Sequence, residues 1–216
     1  MNKETTLERE KEILKFIYYS KIVSIKNIEN MFFNTYTTAK FYLNNLRDKG
    51  LLKSMKIPGL IKSQIYFLSY KGITHLKDLG VDTTRQKINM RESVHDLKVN
   101  DILVWFIKNM GVSYKTDFML RQARGKNEQS VRIPDLIICD KDKKLGLIEC
   151  QESDKSKETI LKYIEDYKSY YPEHHIFFVV KPGKANYYQK IFSENTTNYS
   201  ICDFEDNEGL KVIFKA

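Results

Sequence analysis

Cysteine is scarce in this chain. Cys139, Cys150 and Cys202 are an odd set with no close spacing, which argues against both a disulfide framework and a zinc site. Cys139 and Cys150 fall in apolar runs, so buried free thiols are expected there. Long apolar runs are missing too. The longest, such as 102–107 and 176–180, fall far short of the roughly 20 residues a membrane-spanning helix needs. Met1-Asn2-Lys3-Glu4-Thr5-Thr6 contains no apolar signal region, so a cytoplasmic protein with no membrane partner is expected. There is no internal repeat and no low-complexity tract.

What is present describes a soluble globular protein: 42% apolar and 30% charged residues in 216. The balance is basic, with net charge +8 and pI near 9.1. It is also uneven. Residues 1–85 hold 15 Lys and Arg against 8 Asp and Glu, while residues 86–216 hold 21 against 20. A basic first part and a near-neutral second suggest two domains, 1–85 and 86–216, the first of which meets a polyanion.

Thr6 is placed to cap a helix reaching Ser20, with Leu7, Ile13, Leu14, Ile17 and Tyr18 at roughly helical spacing. Ser24 opens a short second helix, 25–31. Asn34-Thr35-Tyr36-Thr37 leads into a third, whose inward face is Ala39, Leu43 and Leu46 and whose end is Gly50. Two β-prone runs, 51–57 and 63–68, flank Pro58-Gly59 and carry Lys53, Lys56 and Lys62. A last helix spans 69–79. Three helices, a basic hairpin and a fourth helix spell a winged helix-turn-helix, whose third helix enters the major groove of double-stranded DNA. On that helix Lys40 and Arg47 suit phosphates, while Tyr36, Thr37 and Asn44 reach phosphates or base edges. Lys53, Lys56 and Lys62 belong to the wing. The competing reading is a winged helix used for protein contacts.

A polar stretch, 82–87, precedes a helix over 94–109 that is apolar nearly all round and is expected to pack on something broad such as a sheet. Asp101 lies on its apolar line, bonded to local backbone or reaching a site elsewhere. A strand over 112–120 and a polar loop over 122–129 follow. Then come two apolar runs, 131–139 and 145–151, joined by a charged turn. Asp135 starts one and Glu149 ends the other, so antiparallel pairing sets them side by side. Two carboxylates in such a place are unfavourable unless they share a metal ion or a proton. Asp135, Glu149 and Asp101, with the backbone carbonyl of Cys150, offer oxygen ligands for Mg²⁺ or Mn²⁺. A helix over 155–171 capped by Ser153, a strand 176–180, a helix 184–192 and strands 199–204 and 210–214 complete a mixed α/β arrangement. His95 is either a general base or a packed histidine, and none of the 14 tyrosines stands out.

The helix acid, the Pro134-Asp135 strand, Glu149-Cys150-Gln151 with 13 residues between the acids, and the helix and strand that follow resemble the PD-(D/E)xK fold of restriction-type endonucleases. With His95-Asp96-Leu97-Lys98-Val99-Asn100-Asp101 and the Lys/Tyr-rich helix, the chain is similar to the replication-relaxation family and to MobC-type plasmid relaxases, which join a winged helix to such a domain. The resemblance implies a metal-dependent origin nickase acting with relaxosome or replication proteins. Gln151 stands where that motif has lysine. Gln151 would then orient the nucleophile, and a lysine of the next helix, such as Lys157, would supply the missing charge. The alternatives are a non-catalytic DNA-binding accessory or regulator and an interaction module without nucleic acid. Oligomeric state is not legible.

Overall fold

The computed structural model describes residues 3–56, 64–84, 86, 88–124, 132–140, 143–151 and 153–203. The fold is mixed α+β, with eight α-helices and two sheets among these residues. It divides into two compact units, Met1–Met110 and Gly111–Ala216.

The first unit contains α1 (Lys3–Ser20), β1 (Val23–Ser24), α2 (Ile25–Phe32), α3 (Tyr36–Asp48), β2 (Leu52–Lys56), β3 (Gln64–Leu68), α4 (Tyr70–Asp78), a 3₁₀ turn at Met90–Glu92 and α5 (Ser93–Met110). Its strands run β1-β3-β2, all antiparallel. The helix starts follow capping chemistry. Ser24 and Asn27 form a reciprocal capping box on α2, and the Thr35 hydroxyl accepts the Thr38 N–H on α3. Helix α3 ends in a Schellman motif. Gly50 sits at φ 77°, its N–H bonds the Arg47 carbonyl, and the Leu51 N–H bonds the Leu46 carbonyl. Ala39, Leu43 and Leu46 are buried with Ile13, Leu14, Ile17, Ile28, Ile65 and Tyr66. Each of the larger aliphatics contributes about 1.5–3 kcal/mol by leaving water.

Helix α5 belongs to this unit, so the division falls at residue 110 rather than at residue 85. The reason lies in its contacts. It packs on α2 and β1, Leu97 joins Ile22 and Ile65, and the Asn100 amide donates to the Ile22 carbonyl at 2.6 Å and the Ser20 carbonyl at 3.3 Å. The polar stretch before it is anchored as well, since the Thr84 N–H bonds the Tyr18 hydroxyl at 2.6 Å. Recounted on this division, residues 1–110 hold 19 Lys and Arg against 11 Asp and Glu, and residues 111–216 hold 17 of each. The whole net charge of +8 therefore lies in the first unit.

The second unit contains β4 (Ser113–Thr116), α6 (Asp117–Arg124), β5 (Leu136–Asp140), β6 (Lys143–Gln151), α7 (Lys157–Tyr170), β7 (His175–Val180), α8 (Ala185–Ser193) and β8 (Tyr199–Asp203). The sheet order is β4-β5-β6-β7-β8, antiparallel through β6 and parallel from β6 to β8. Ile160, Ile164 and Tyr167 of α7 and Tyr188, Ile191 and Phe192 of α8 share one core with Ile137, Leu147, Ile176, Phe178 and Val180. The strand expected over 112–120 stops at Thr116, because the Thr116 hydroxyl accepts the Met119 N–H and starts α6. Helix α7 is capped by Ser156, which accepts the Thr159 N–H, and not by Ser153. The expected strand 210–214, the Pro58-Gly59 tip and Lys62 lie outside the described residues.

Candidate functional site

Two groupings carry the residues singled out above. In the first unit, α3 turns Tyr36, Thr37, Lys40 and Phe41 to solvent, with Phe41 70% exposed. Asn44 and Arg47 are half-buried on the same helix. The Tyr66 hydroxyl reaches Asn44 Oδ1 and Gln64 Oε1, each at 3.3 Å, and Gln64 donates to Ser54 Oγ at 2.7 Å. This chain of polar contacts fixes α3 to the β2–β3 ribbon, where Lys53 and Lys56 are exposed. Arg47 meets the neighbouring Asp48 at 3.2 Å. Lys49, just past the end of α3, pairs with the buried Glu10 at 2.7 Å, and His75 of α4 reaches the other Glu10 oxygen at 3.2 Å. The C-terminal half of the helix is thus held while Tyr36, Thr37, Lys40 and Phe41 stay exposed.

In the second unit, Asp135 immediately precedes β5. The pairs Leu136↔Ile148 and Ile137↔Leu147, carried on by one residue, set Asp135 opposite Glu149. Asp135 Oδ2 accepts the Cys150 N–H at 2.8 Å. Glu149 is 2% exposed, and both of its oxygens are taken. Arg132 donates to Oε1, and the Tyr167 hydroxyl of α7 donates to Oε2 at 2.5 Å. Arg132 also lies over the Tyr163 ring, 3.3 Å from its centre, and its Nε reaches the Tyr167 hydroxyl at 3.3 Å. Burial, and after it the neighbouring Asp135, push the Glu149 carboxyl up to about 7, against the opposing pull of Arg132 and the Tyr167 hydroxyl. Desolvation works against the charge on Arg132, but Glu149 and the two tyrosines outweigh it and hold the guanidinium more firmly charged than usual. Burial raises Tyr167 well above the ordinary phenol range, and Glu149 adds to the effect.

The remaining expected residues are engaged elsewhere. Gln151 is buried, and its amide donates to the Ser153 carbonyl at 2.5 Å and the Ser153 hydroxyl at 3.3 Å, which ties down the turn after β6. Lys157 is half exposed and pairs with Glu194 at 3.2 Å, so its charge is directed to the end of α8. Asp101 belongs to the first unit and accepts from the Asn27 amide at 2.6 Å. His95 lies near Asp96, 3.6 Å away. The Cys150 side chain is buried. Three residues that matter at Glu149 are absent from the expected set: Arg132, Tyr163 and Tyr167. Two of them carried a signal, since Tyr163, Tyr167 and Tyr171 recur at steps of four on one face of α7.

A divalent ion of the Mg²⁺ or Mn²⁺ kind needs several oxygen ligands and dislikes a cation beside it. Asp135, Glu149 and the strand carbonyl at Cys150 are the right atom types. As arranged they do not fit such an ion, because a guanidinium and a hydroxyl already donate to both Glu149 oxygens. What the cluster does in this form is bind the segment before β5 to β6 and α7. Among the described residues no helix is long and apolar enough to cross a membrane. No family model matches the chain, and comparison with curated proteins finds no similar sequence.

Proposed function

We propose that this chain is a double-stranded DNA-binding protein of the replication or mobilisation machinery of a mobile element, and that its second unit has an accessory role and does not cut. The observation that carries the reading is α3. It is an open polar helix face with Tyr36, Thr37, Lys40, Asn44 and Arg47, joined through Tyr66 and Gln64 to a lysine-bearing ribbon, in a unit that holds all of the net positive charge. The order α1-β1-α2-α3-β2-β3 with the sheet β1-β3-β2 is compatible with a winged helix-turn-helix, in which such a helix reads the major groove and the ribbon touches phosphates. The mobile-element context rests on the resemblance to the replication-relaxation family and MobC-type relaxases, which also suggests relaxosome or replication proteins as partners.

For the second unit, the absence of a spare carboxylate oxygen at Glu149, the engagement of Lys157 with Glu194 and the use of Gln151 in a turn favour an accessory role. A second reading, a metal-dependent origin nickase of PD-(D/E)xK type, is favoured by the juxtaposition of Asp135 and Glu149 on a meander followed by a parallel crossover. One experiment separates the two. Supercoiled plasmid carrying the replication or transfer origin of the element that encodes this chain is incubated with purified protein and Mg²⁺ or Mn²⁺, and binding and nicking are scored together. Binding without nicking, unchanged in Asp135→Asn and Glu149→Gln, is the expected result. Nicking that disappears in both variants establishes the nickase instead, and no binding at all removes both readings.

A further inference from the structure

We propose that Arg132 occupies the cation position of the Asp135–Glu149 cluster, so that its guanidinium and a divalent ion are mutually exclusive occupants. The inference concerns the second unit alone and does not rest on the DNA-binding reading. Arg132 lies three residues before Asp135 in the segment leading into β5. Its side chain is held on two sides. The Tyr163 ring lies 3.3 Å from the guanidinium carbon, and Glu149 and Tyr167 take its N–H groups. Glu149 is almost wholly buried, its side chain 3% exposed, whereas Arg132 retains 28%. The cation therefore sits on the solvent side of a buried carboxylate, where an incoming ion would have to bind. Asp135, opposite Glu149 in the strand register and bonded to the Cys150 N–H, adds a second negative charge. With both carboxylates ionised, one guanidinium leaves the cluster net negative. Replacing the guanidinium by a neutral group removes the cation that Glu149 holds and leaves two neighbouring carboxylates, the hard-oxygen ligand type that Mn²⁺ and Mg²⁺ favour.

The test uses Mn²⁺ alone, without DNA, on the full chain, read by titration calorimetry and by the loss of the free-Mn²⁺ electron paramagnetic resonance signal. Wild-type protein is expected to take up no Mn²⁺ that depends on Glu149. Arg132→Gln, neutral but still able to donate to Glu149, is expected to gain at least about tenfold in Mn²⁺ affinity, and the gain should vanish when Asp135→Asn or Glu149→Gln is added. Arg132→Lys keeps a cation and should gain nothing. If Arg132→Gln does not fold, as judged by circular dichroism, Arg132→Met takes its place, since its unbranched stem still packs on Tyr163. The proposal is overturned if wild-type protein binds Mn²⁺ stoichiometrically and Glu149→Gln abolishes it. It is equally overturned if the neutral variants gain nothing or the gain survives loss of both carboxylates. The wild-type measurement needs no variant that removes Arg132, so the first of these outcomes remains open whatever those variants do.

Discussion

Glu149 is where sequence and surroundings conflict most. A carboxylate in the middle of Leu147-Ile148-Glu149-Cys150 is carried into the core by a strand that is apolar on both sides, and an unpaired charge there is strongly unfavourable. The conflict is relieved by Arg132 and the Tyr167 hydroxyl, yet burial and Asp135 still raise its pKa from 4.5 to about 7. A carboxyl that holds its proton more tightly when folded stabilises the fold fully at pH values below the unfolded pKa. That share is lost as pH rises towards and past about 7. Chemical unfolding followed from about pH 4 to about pH 8 should therefore show wild-type stability falling through this window more steeply than that of Glu149→Gln. Equal slopes would mean that Glu149 titrates alike in the folded and unfolded chain. Gln151, next on the same face, has a structural task, and Gln151→Ala should cost about 1 kcal/mol through the lost turn contacts while leaving DNA affinity unchanged. The pairing of Asp135 with Glu149 was legible, because hairpin register follows from alternation and the turn. Arg132 was not, since it lies in no regular element and its partners come from a helix later in the chain. Tyr163 and Tyr167 do not stand out among the 14 tyrosines, because a stripe at steps of four looks the same whether it packs on aliphatics or on a charged pair.

At the scale of elements, α2, α3 and their caps were readable because Ser24, Thr35 and Gly50 have few other uses in such positions. Asn27 was not singled out, although it does two jobs. It completes the capping box with Ser24 and donates to Asp101 of α5. Asn27→Ala should lower the stability of the first unit by about 1–2 kcal/mol, measured by denaturant unfolding, and Asp101→Asn should recover none of that loss once Asn27 is gone. The short β4 and the start of α6 were misread as one strand because Tyr114, Thr116 and Phe118 are all β-prone. A single hydroxyl at Thr116 decided the matter by accepting a backbone N–H.

For the whole molecule, the division into units separates charge as well as contacts. All of the net +8 lies in residues 1–110, and residues 111–216 balance to zero. A polar stretch after Gly80 looks like a linker in the sequence, whereas Tyr18 and Asn100 fasten that stretch and α5 to the start of the chain. A fragment of residues 1–110 should then fold cooperatively, and one ending at residue 85 should not, as judged by thermal unfolding. The separation also tells where the affinity for a polyanion must reside. The most direct measurement of the central claim is the salt dependence of duplex-DNA binding by fluorescence anisotropy, for the wild type, Lys40→Ala/Arg47→Ala and Asp135→Asn/Glu149→Gln. Affinity is expected to fall steeply with salt, and the α3 pair to weaken binding and reduce the logarithmic salt slope by about 1 per cation removed. The carboxylate pair should leave both unchanged. Binding that ignores Lys40 and Arg47, or a salt slope near zero, would contradict that claim.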